Sequence, residues 1–117
     1  MYTKSGGHRV EIREKARDGK GNAAIHHLLE KEQIAPHSRL LCKAVIEPGN
    51  SIGIHTHKDE GEFFYILSGV AKITDDGEEV LLHPGDTLFT PSGSSHSIEA
   101  TGDETLEYLA IILSSVS

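Results

Sequence analysis

The 117-residue chain has little of several features that would place it in a particular compartment or class. Its one cysteine, Cys42, excludes a disulfide bond within the chain. Its longest apolar run, residues 106–113, has the length of a β-strand, whereas a membrane-spanning helix needs about 20 apolar residues. Residues 1–10 are polar and do not resemble a signal peptide. We therefore expect a cytoplasmic protein with no membrane association.

Clustered positive charge is also missing. The formal net charge is -7, and the 11 basic residues are spread along the chain. Nucleic acids and anionic membranes are bound by clusters of Lys and Arg, so neither is an expected partner. The hydrophobic fraction of 37% and the charged fraction of 25% are typical of a globular chain. A chain of this length predicts one domain.

No helical period, long repeat or low-complexity tract runs through the sequence. Short apolar runs are instead separated by Gly, Pro and Asp residues, which is typical of strands and turns. Residues 24–29 fit either a strand or a short helix. The other predicted strands cover residues 39–47, 52–57, 62–67, 70–74, 79–82, 87–90, 96–100 and 105–113. About eight or nine short strands at this spacing predict an all-β sandwich or barrel.

The first part of the chain differs from the rest. Residues 1–22 show weak periodicity and end in a stretch rich in turn formers, residues 18–22. We predict that residues 1–22 form an N-terminal arm or edge strand and that residues 23–117 form the barrel domain.

Potential metal ligands stand close together in the middle of the chain. Side chains at positions i and i+2 of a strand point to the same face, so His55 and His57 can direct both imidazoles at one ion. A charged turn at residues 58–61 would let the next strand return Glu62 beside them. His96 would join them from another strand, after a tight approach through Pro91-Ser92-Gly93. A His-x-His pair alone is weak evidence, since such pairs are more often exposed or hydrogen-bonded.

The complete spacing resembles the two motifs of the cupin superfamily. The first motif is Gly, five residues, His-x-His, three or four residues, Glu, six residues, Gly. It is filled by Gly49, His55, His57, Glu62 and Gly69. The second motif is Gly, five residues, Pro-x-Gly, two residues, His, three residues, Asn. It is matched by Gly85, Pro91, Gly93 and His96, whereas Ala100 stands in the place of Asn. That Asn is not a metal ligand in the family, so the departure affects a local structural contact.

The resemblance implies a small single-domain bacterial-type protein with the cupin double-stranded β-helix, a jelly-roll barrel. It implies that the metal ligands are His55, His57, Glu62 and His96. Three imidazoles and one carboxylate suit one divalent transition metal ion: Fe, Mn, Ni, Zn, Cu or Co. It also implies a small-molecule ligand or substrate, and a homodimer in which N-terminal strands cross to the neighbouring sheet. Residues 1–29 look like the edge material that such pairing needs.

Two classes of function follow from the resemblance. The first is a metalloenzyme acting on a small molecule, either a dioxygenase-like oxidoreductase with a redox metal or an isomerase with Mn or Zn. The alternative is a non-catalytic cupin module that binds or senses a small ligand. A barrel with no function at the motif is the third interpretation. The sequence indicates neither the substrate nor any catalytic residue beyond the ligands.

The remaining candidates have plainer interpretations. Phe64 and Ile66 alternate with Glu62, and Ile98 with His96, so they form either a pocket wall or simply core; we favour core. Cys42 is expected to behave as a small buried hydrophobe, and Tyr65 to face away from the metal. The histidines outside the motifs are interpreted as surface or hydrogen-bonded residues: His8, His26, His27, His37 and His83.

Overall fold

The computed structural model describes residues 1–114 and contains only strands, turns and loops over that range, apart from two single 3-10 turns at Ala16–Asp18 and Lys31–Gln33. The strands are β1 (Arg9–Glu14), β2 (Asn22–His27), β3 (Ser38–Ile46), β4 (Ser51–Thr56), β5 (Glu60–Ser68), β6 (Val70–Asp75), β7 (Glu78–Leu82), β8 (Thr87–Thr90), β9 (Ser95–Thr101) and β10 (Leu106–Ser114). Within the described residues, no helix is long and apolar enough to span a membrane.

The ten strands form two antiparallel sheets. One sheet has six strands in the order β1-β2-β3-β10-β5-β8, and the other has four in the order β4-β9-β6-β7. Strands distant in sequence are neighbours in space, since β10 lies between β3 and β5, and β9 lies between β4 and β6. This arrangement of two facing sheets is the predicted all-β jelly-roll barrel, and the fold-class prediction is confirmed.

Alternate side chains of the strands point inward and fill the space between the sheets. On β3, side chains at Cys42, Ala44 and Ile46 are at most 1% exposed, as the predicted apolar face requires. The partner positions on β10 contribute Tyr108 and Ala110, each 2% exposed. Further core residues are Ala23, Ile25, Phe64, Ile66, Ala71, Ile73, Leu82, Ile98, Ala100 and Leu106. One continuous core therefore holds the two sheets together.

Residues 1–29 only partly match the prediction that they form edge material. The segment left open between strand and helix is strand β2, which pairs with β1 on one side and β3 on the other. β2 is thus interior to the sheet, and of the strands within residues 1–29 β1 alone lies at an edge, so the interpretation of residues 1–29 as edge material was wrong for β2. The division into an arm, residues 1–22, and a barrel, residues 23–117, stays a prediction, and residues 115–117 lie outside the described range.

The turn before Glu62 is shorter than predicted. We expected residues 58–61 to form it, but Glu60 and Gly61 already belong to β5. Asp59 makes the reversal compact by adopting a left-handed conformation with φ 59°. β4 ends at Thr56, so His57 lies just beyond the strand. Because Glu60 belongs to β5, its side chain points to the same face of the strand as that of Glu62.

The motif glycines occupy turn positions that an L side chain rarely adopts. All four have positive φ: Gly49, Gly69, Gly85 and Gly93. At Gly93, the turn lets the backbone N–H donate to the carbonyl oxygen of His57 at 2.7 Å. The backbone of Ala100 bonds to Gly49 and Asn50 at 2.9 and 3.0 Å. The short Ala100 side chain is fully buried there.

Candidate metal centre

Four donor side chains converge where β4, β5 and β9 meet. One ligand atom from each lies within 4.8 Å of every other: His55, His57, Glu62 and His96. His55 lies opposite His96 in the β4–β9 register, and Glu62 arrives from the facing sheet on β5. Glu62, His57 and His96 are at most 6% exposed. The structure thus brings together all four residues predicted as ligands.

Short distances separate the inward-facing atoms. His96 Nε2 lies 3.0 Å from His57 Nε2 and 3.1 Å from His55 Nε2. Glu62 Oε1 lies 2.8 Å from His57 Nε2 and 3.0 Å from His96 Nε2. Two ligands placed about 2.1 Å from one ion at right angles would be separated by about 3.0 Å. These four separations therefore fit adjacent ligands of a single transition-metal ion, and all six pairwise separations lie within 4.8 Å.

The outward-facing nitrogens determine what the inward ones can do. His55 Nδ1 donates to the carbonyl oxygen of Gly53 at 2.8 Å, and His57 Nδ1 donates to Glu60 Oε2 at 2.7 Å. His96 Nδ1 bonds to Thr90 Oγ1 at 2.8 Å. A carbonyl or carboxylate oxygen can only accept, so the Nδ1 atoms of His55 and His57 carry hydrogens, and in the neutral ring Nε2 presents a lone pair. Lone pairs and a carboxylate oxygen then face one another, an arrangement that a cation would stabilise.

The pKa shifts favour the metal-binding protonation state at Glu62 and His55 and oppose it at His57. Burial alone raises the pKa of Glu62, but hydrogen bonds from His57 and His96 outweigh it and hold the pKa at about 2. Burial lowers the pKa of His55, which favours the neutral ring. The hydrogen bond to Glu62 raises the pKa of His57, with burial opposing it. Without a metal, the centre therefore combines an ionised carboxylate and a neutral His55 with a stabilised positive charge at His57, and an ion bound through Nε2 would have to displace that proton.

A cavity of about 310 Å³ is lined by three of the four donors, His55, His57 and Glu62. Its apolar wall includes Phe64 and Ile98, which also belong to the core, and the ring of Phe64 stacks on His96 with centroids 5.0 Å apart. Ile66 is completely buried and lies away from the wall. The interpretation as core alone therefore holds for Ile66, whereas Phe64 and Ile98 serve as both core and wall.

Three arginines line the same cavity although the chain is acidic overall: Arg13, Arg17 and Arg39. Arg39 Nε lies 2.6 Å from Glu60 Oε1, and Arg13 Nε lies 3.1 Å from Glu11 Oε2. Within residues 1–114, the side chain of Arg17 has no hydrogen bond or ion pair. Glu62 is the one carboxylate on the described lining, so the cavity favours an anionic occupant over a cationic one.

The walls offer little acid–base chemistry beyond the four donors. Across the described residues, the lining contains no further carboxylate or imidazole. Cys42 reaches the cavity, but burial raises the pKa of its thiol to about 12, so it behaves as the expected small hydrophobe. Burial also raises the pKa of Tyr108 well above its usual range. Tyr65 is 43% exposed on the opposite face of β5, as expected.

The histidines outside the motifs lie outside the cluster. His27 is buried and its Nε2 lies 2.9 Å from Glu11 Oε1, which agrees with its interpretation as a hydrogen-bonded residue. That contact completes a chain from His27 through Glu11 to Arg13 on the cavity wall.

Sequence reasoning missed the residues that support the donors. Glu60 was assigned to the charged turn at residues 58–61, although its spacing from Glu62 and Phe64 on one strand face was a usable signal. Thr90 gave no signal, because its role depends on the approach of β8 to β9. Arg13 and Arg17 were assigned to the arm, and only the docking of that segment brings them to the cavity.

Comparison with known proteins agrees with this geometry. The family model described as "Cupin domain" matches residues 43–112, the segment that holds all four donors. A Thermotoga maritima protein named "Oxalate-binding protein" is 45% identical over 97 residues, which cover 83% of this chain and 80% of that protein.

A solved structure from Thermotoga maritima, described as a predicted oxalate decarboxylase, superposes with a TM-score of 0.92 at 41% identity and covers 97% of this chain and 99% of that one. An uncharacterized protein of Methanocaldococcus jannaschii is 30% identical over 90 residues, which cover 77% of this chain and 72% of that protein. Similarity therefore extends over nearly the whole chain, including the N-terminal residues outside the family match.

Proposed function

Because the chain belongs to the cupin family, we propose that it is a metal-dependent binding protein for small dicarboxylate anions, with oxalate as the first candidate. The observation that carries the proposal is the combination of four converging donors with an arginine-lined cavity beside them. A metal ion attracts and chelates carboxylate oxygens, and arginine is suited to the oxygens that remain.

In this proposal the metal ligands are His55, His57, Glu62 and His96. Their N/O donor set suits one divalent transition metal ion: Fe, Mn, Ni, Zn, Cu or Co. A five- or six-coordinate ion held by these four donors would offer open positions to a chelating anion. Glu60 and Thr90 hold the rings of His57 and His96 in orientation.

The charge of the cavity supports an anionic ligand. Arg13 and Arg39 are paired with carboxylates behind the wall. The unpaired Arg17 and a divalent ion would face one carboxylate, Glu62, on the described lining. The name of the Thermotoga relative adds a candidate, since that protein is named for oxalate. A ligand as small as oxalate would leave part of the 310 Å³ cavity to water or to a longer dicarboxylate.

Binding is favoured over isomerase-like catalysis by what the described walls contain. An isomerase needs an acid or base within reach of the substrate, and beyond the proposed ligands the lining supplies only the Tyr108 hydroxyl and the Cys42 thiol. Burial raises the pKa of Tyr108 well above its usual range, which makes its hydroxyl a poor acid. Cys42 does not fill that role, because its raised pKa of about 12 keeps it a thiol.

A second candidate is a dioxygenase-like oxidoreductase, which the donor count favours. Four protein ligands on a six-coordinate redox ion would leave two positions for substrate and dioxygen. Oxygen uptake by protein loaded anaerobically with Fe(II) and then mixed with oxalate and air would support this candidate. Oxalate bound without oxygen uptake or carbon dioxide release would support the binding function.

The test of the proposed function is equilibrium dialysis of labelled oxalate against protein stripped of metal and then loaded with Mn²⁺. Retained metal is measured alongside, because oxalate itself chelates the ion. We expect oxalate to bind the loaded protein only, and a His55→Ala/His57→Ala variant to lose both metal and oxalate. His83→Ala, an exposed histidine outside the cluster, should behave as the parent. Equal oxalate binding by stripped protein, or metal binding by the double variant, would contradict the proposal.

We also propose a homodimer, formed by the outer face of the six-stranded sheet. Phe63 and Phe89 are in contact there, with ring centroids 4.6 Å apart and ring planes inclined by 33°, and they are 42% and 49% exposed. Tyr65 and Leu67 extend the apolar surface. Light scattering of Phe63→Ser/Phe89→Ser protein should report a monomer where the parent reports a dimer.

The free thiol of Cys42 is compatible with a cytoplasmic location, which stays a prediction.

A further inference from the structure

The turn between β1 and β2, residues 15–21, has an unusual backbone. Lys15, Arg17 and Asp18 all adopt positive φ, at 46°, 54° and 62°. L residues rarely adopt this conformation, and such residues persist where the surroundings hold them. The turn is therefore a specific shape imposed by contacts, and those contacts identify what it serves.

The turn docks on β4, the strand that leads into two of the four donors. The N–H of Lys20 donates to Ser51 Oγ at 2.9 Å, and the N–H of Ser51 donates to the carbonyl oxygen of Lys20 at 2.8 Å. The carbonyl of Arg17 lies so close to Gly53 that any side chain there would overlap it. Gly53 in turn orients His55 through its own carbonyl oxygen. One residue thus positions both Arg17 and a proposed metal ligand.

The three arginines on the cavity wall differ in what they already bind. Arg13 is engaged by Glu11 and Arg39 by Glu60, each through two hydrogen bonds. Arg17 lines the same cavity, and its guanidinium has no protein partner among residues 1–114. It is exposed at the cavity rim, where a ligand can reach it. Of the three, Arg17 has its full set of donors available.

We propose that Arg17 is the residue that selects dicarboxylates over monocarboxylates. It binds carboxylate oxygens of the ligand that face away from the metal, using the paired N–H groups of its guanidinium. The docked turn fixes its backbone, so little chain ordering is required when the anion binds. Arg13 and Arg39, held by their carboxylates, add positive potential to the wall. This inference rests on the proposed function and names the residue that gives it specificity.

The experiment compares oxalate with glycolate, a monoanion of similar size, on Mn²⁺-loaded protein. Arg17→Gln should weaken oxalate binding about 10- to 100-fold, the range for losing hydrogen bonds to a charged group, and glycolate binding less than about 3-fold. Arg17→Lys keeps the charge without the paired geometry and should fall between parent and Arg17→Gln. Lys20→Gln removes the same charge from the same turn away from the lining and should match the parent.

A folding defect is excluded by a second variant and a second readout. Arg17→Gly removes the side chain and relieves the positive φ, so it should fold at least as stably as the parent and still lose oxalate selectivity. Mn²⁺ affinity should be unchanged in every Arg17 variant. Oxalate affinity within about 2-fold of the parent in Arg17→Gln and Arg17→Gly would overturn the role of Arg17 and leave the proposed function standing. A parent protein that binds no dicarboxylate would overturn both.

Discussion

Glu60 accepts the Nδ1 hydrogen of His57 at 2.7 Å and at the same time pairs with Arg39 at 2.6 Å. One carboxylate thus holds a donor of the centre and an arginine of the cavity wall. Both contacts lower the pKa of Glu60, with Arg39 contributing more, so the residue is ionised. A carboxylate that accepts the Nδ1 hydrogen makes the Nε2 atom of His57 more basic, and therefore a stronger metal ligand.

Glu60→Ala should therefore weaken metal binding by about 10- to 100-fold, the usual cost of removing a residue that orients a ligand. Metal competition with a fluorescent chelator gives the affinity. Glu78→Ala, an exposed carboxylate at the β6–β7 turn, is the control and should leave the affinity unchanged. Equal affinities for both variants would show that Glu60 does not support the centre.

Thr90→Val tests the support of His96 with almost no change in volume. The variant removes the hydroxyl that bonds to Nδ1 of His96 at 2.8 Å and leaves that nitrogen buried without a partner. We expect about a 10-fold loss of metal affinity and a destabilisation of about 1–3 kcal/mol, measured by chelator competition and urea unfolding. Thr87→Val, an exposed change on the same strand, should alter neither quantity.

Gly53→Ala should disturb the turn and the centre together. The new side chain would overlap the carbonyl of Arg17, which forces the turn away from β4 at a cost of about 1–3 kcal/mol. Oxalate binding should weaken as Arg17 moves, and thermal unfolding should report the lost stability. Gly7→Ala introduces the same group near the N-terminus with milder contacts and should be close to neutral. A stable Gly53→Ala protein with unchanged affinity would show that the turn can shift freely.

Acid stability should depend on Glu11. The hydrogen bond from Arg13, and then that from His27, hold the pKa of Glu11 at about 2, below its ordinary 4.5. Because the pKa of Glu11 is lower in the folded protein than in the unfolded chain, its ionised form stabilises the fold at pH values above about 4.5. That contribution is lost as the pH falls from about 4.5 towards 2. Because the pair is more than a third exposed, we expect a contribution of at most about 1 kcal/mol.

Urea unfolding over this pH range should show a shallower loss of stability for Glu11→Gln than for the parent. Glu14→Gln on the same strand is the matched control. The lowered pKa of Glu62 makes both proteins lose stability in acid, so only the difference between them reports on Glu11. An equal loss of stability in the parent and in Glu11→Gln would contradict the role of Glu11.

The barrel was predictable because alternation and turn residues are local signals. Thr87–Thr90 was predicted residue for residue, since Pro and Gly pairs bound it on both sides. Residues 24–29 were ambiguous, because one alanine, two histidines and three larger aliphatic residues satisfy either period. Pairing with β1 and β3, a tertiary effect, selected the strand.

The candidate site was predictable only in part. The four donors stand at motif spacing, and the structure brings them together, while their role as ligands stays a proposal. Glu60 was missed because the turn predicted at residues 58–61 includes the first two residues of β5. Arg17 carries no pattern of its own, because its place at the cavity results from contacts between residues more than thirty positions apart in the chain, such as Lys20 with Ser51.

The donors come from both sheets, with Glu62 on the six-stranded sheet and His55 and His96 on the four-stranded one. An ion bound there would link the two layers at one end of the core. Separating the sheets would then require breaking several coordination bonds at once, so metal would slow unfolding more than it speeds folding. The loaded protein would persist for a long time in conditions where the stripped protein exchanges readily with its unfolded state, and resistance to proteolysis would become a measure of metal occupancy.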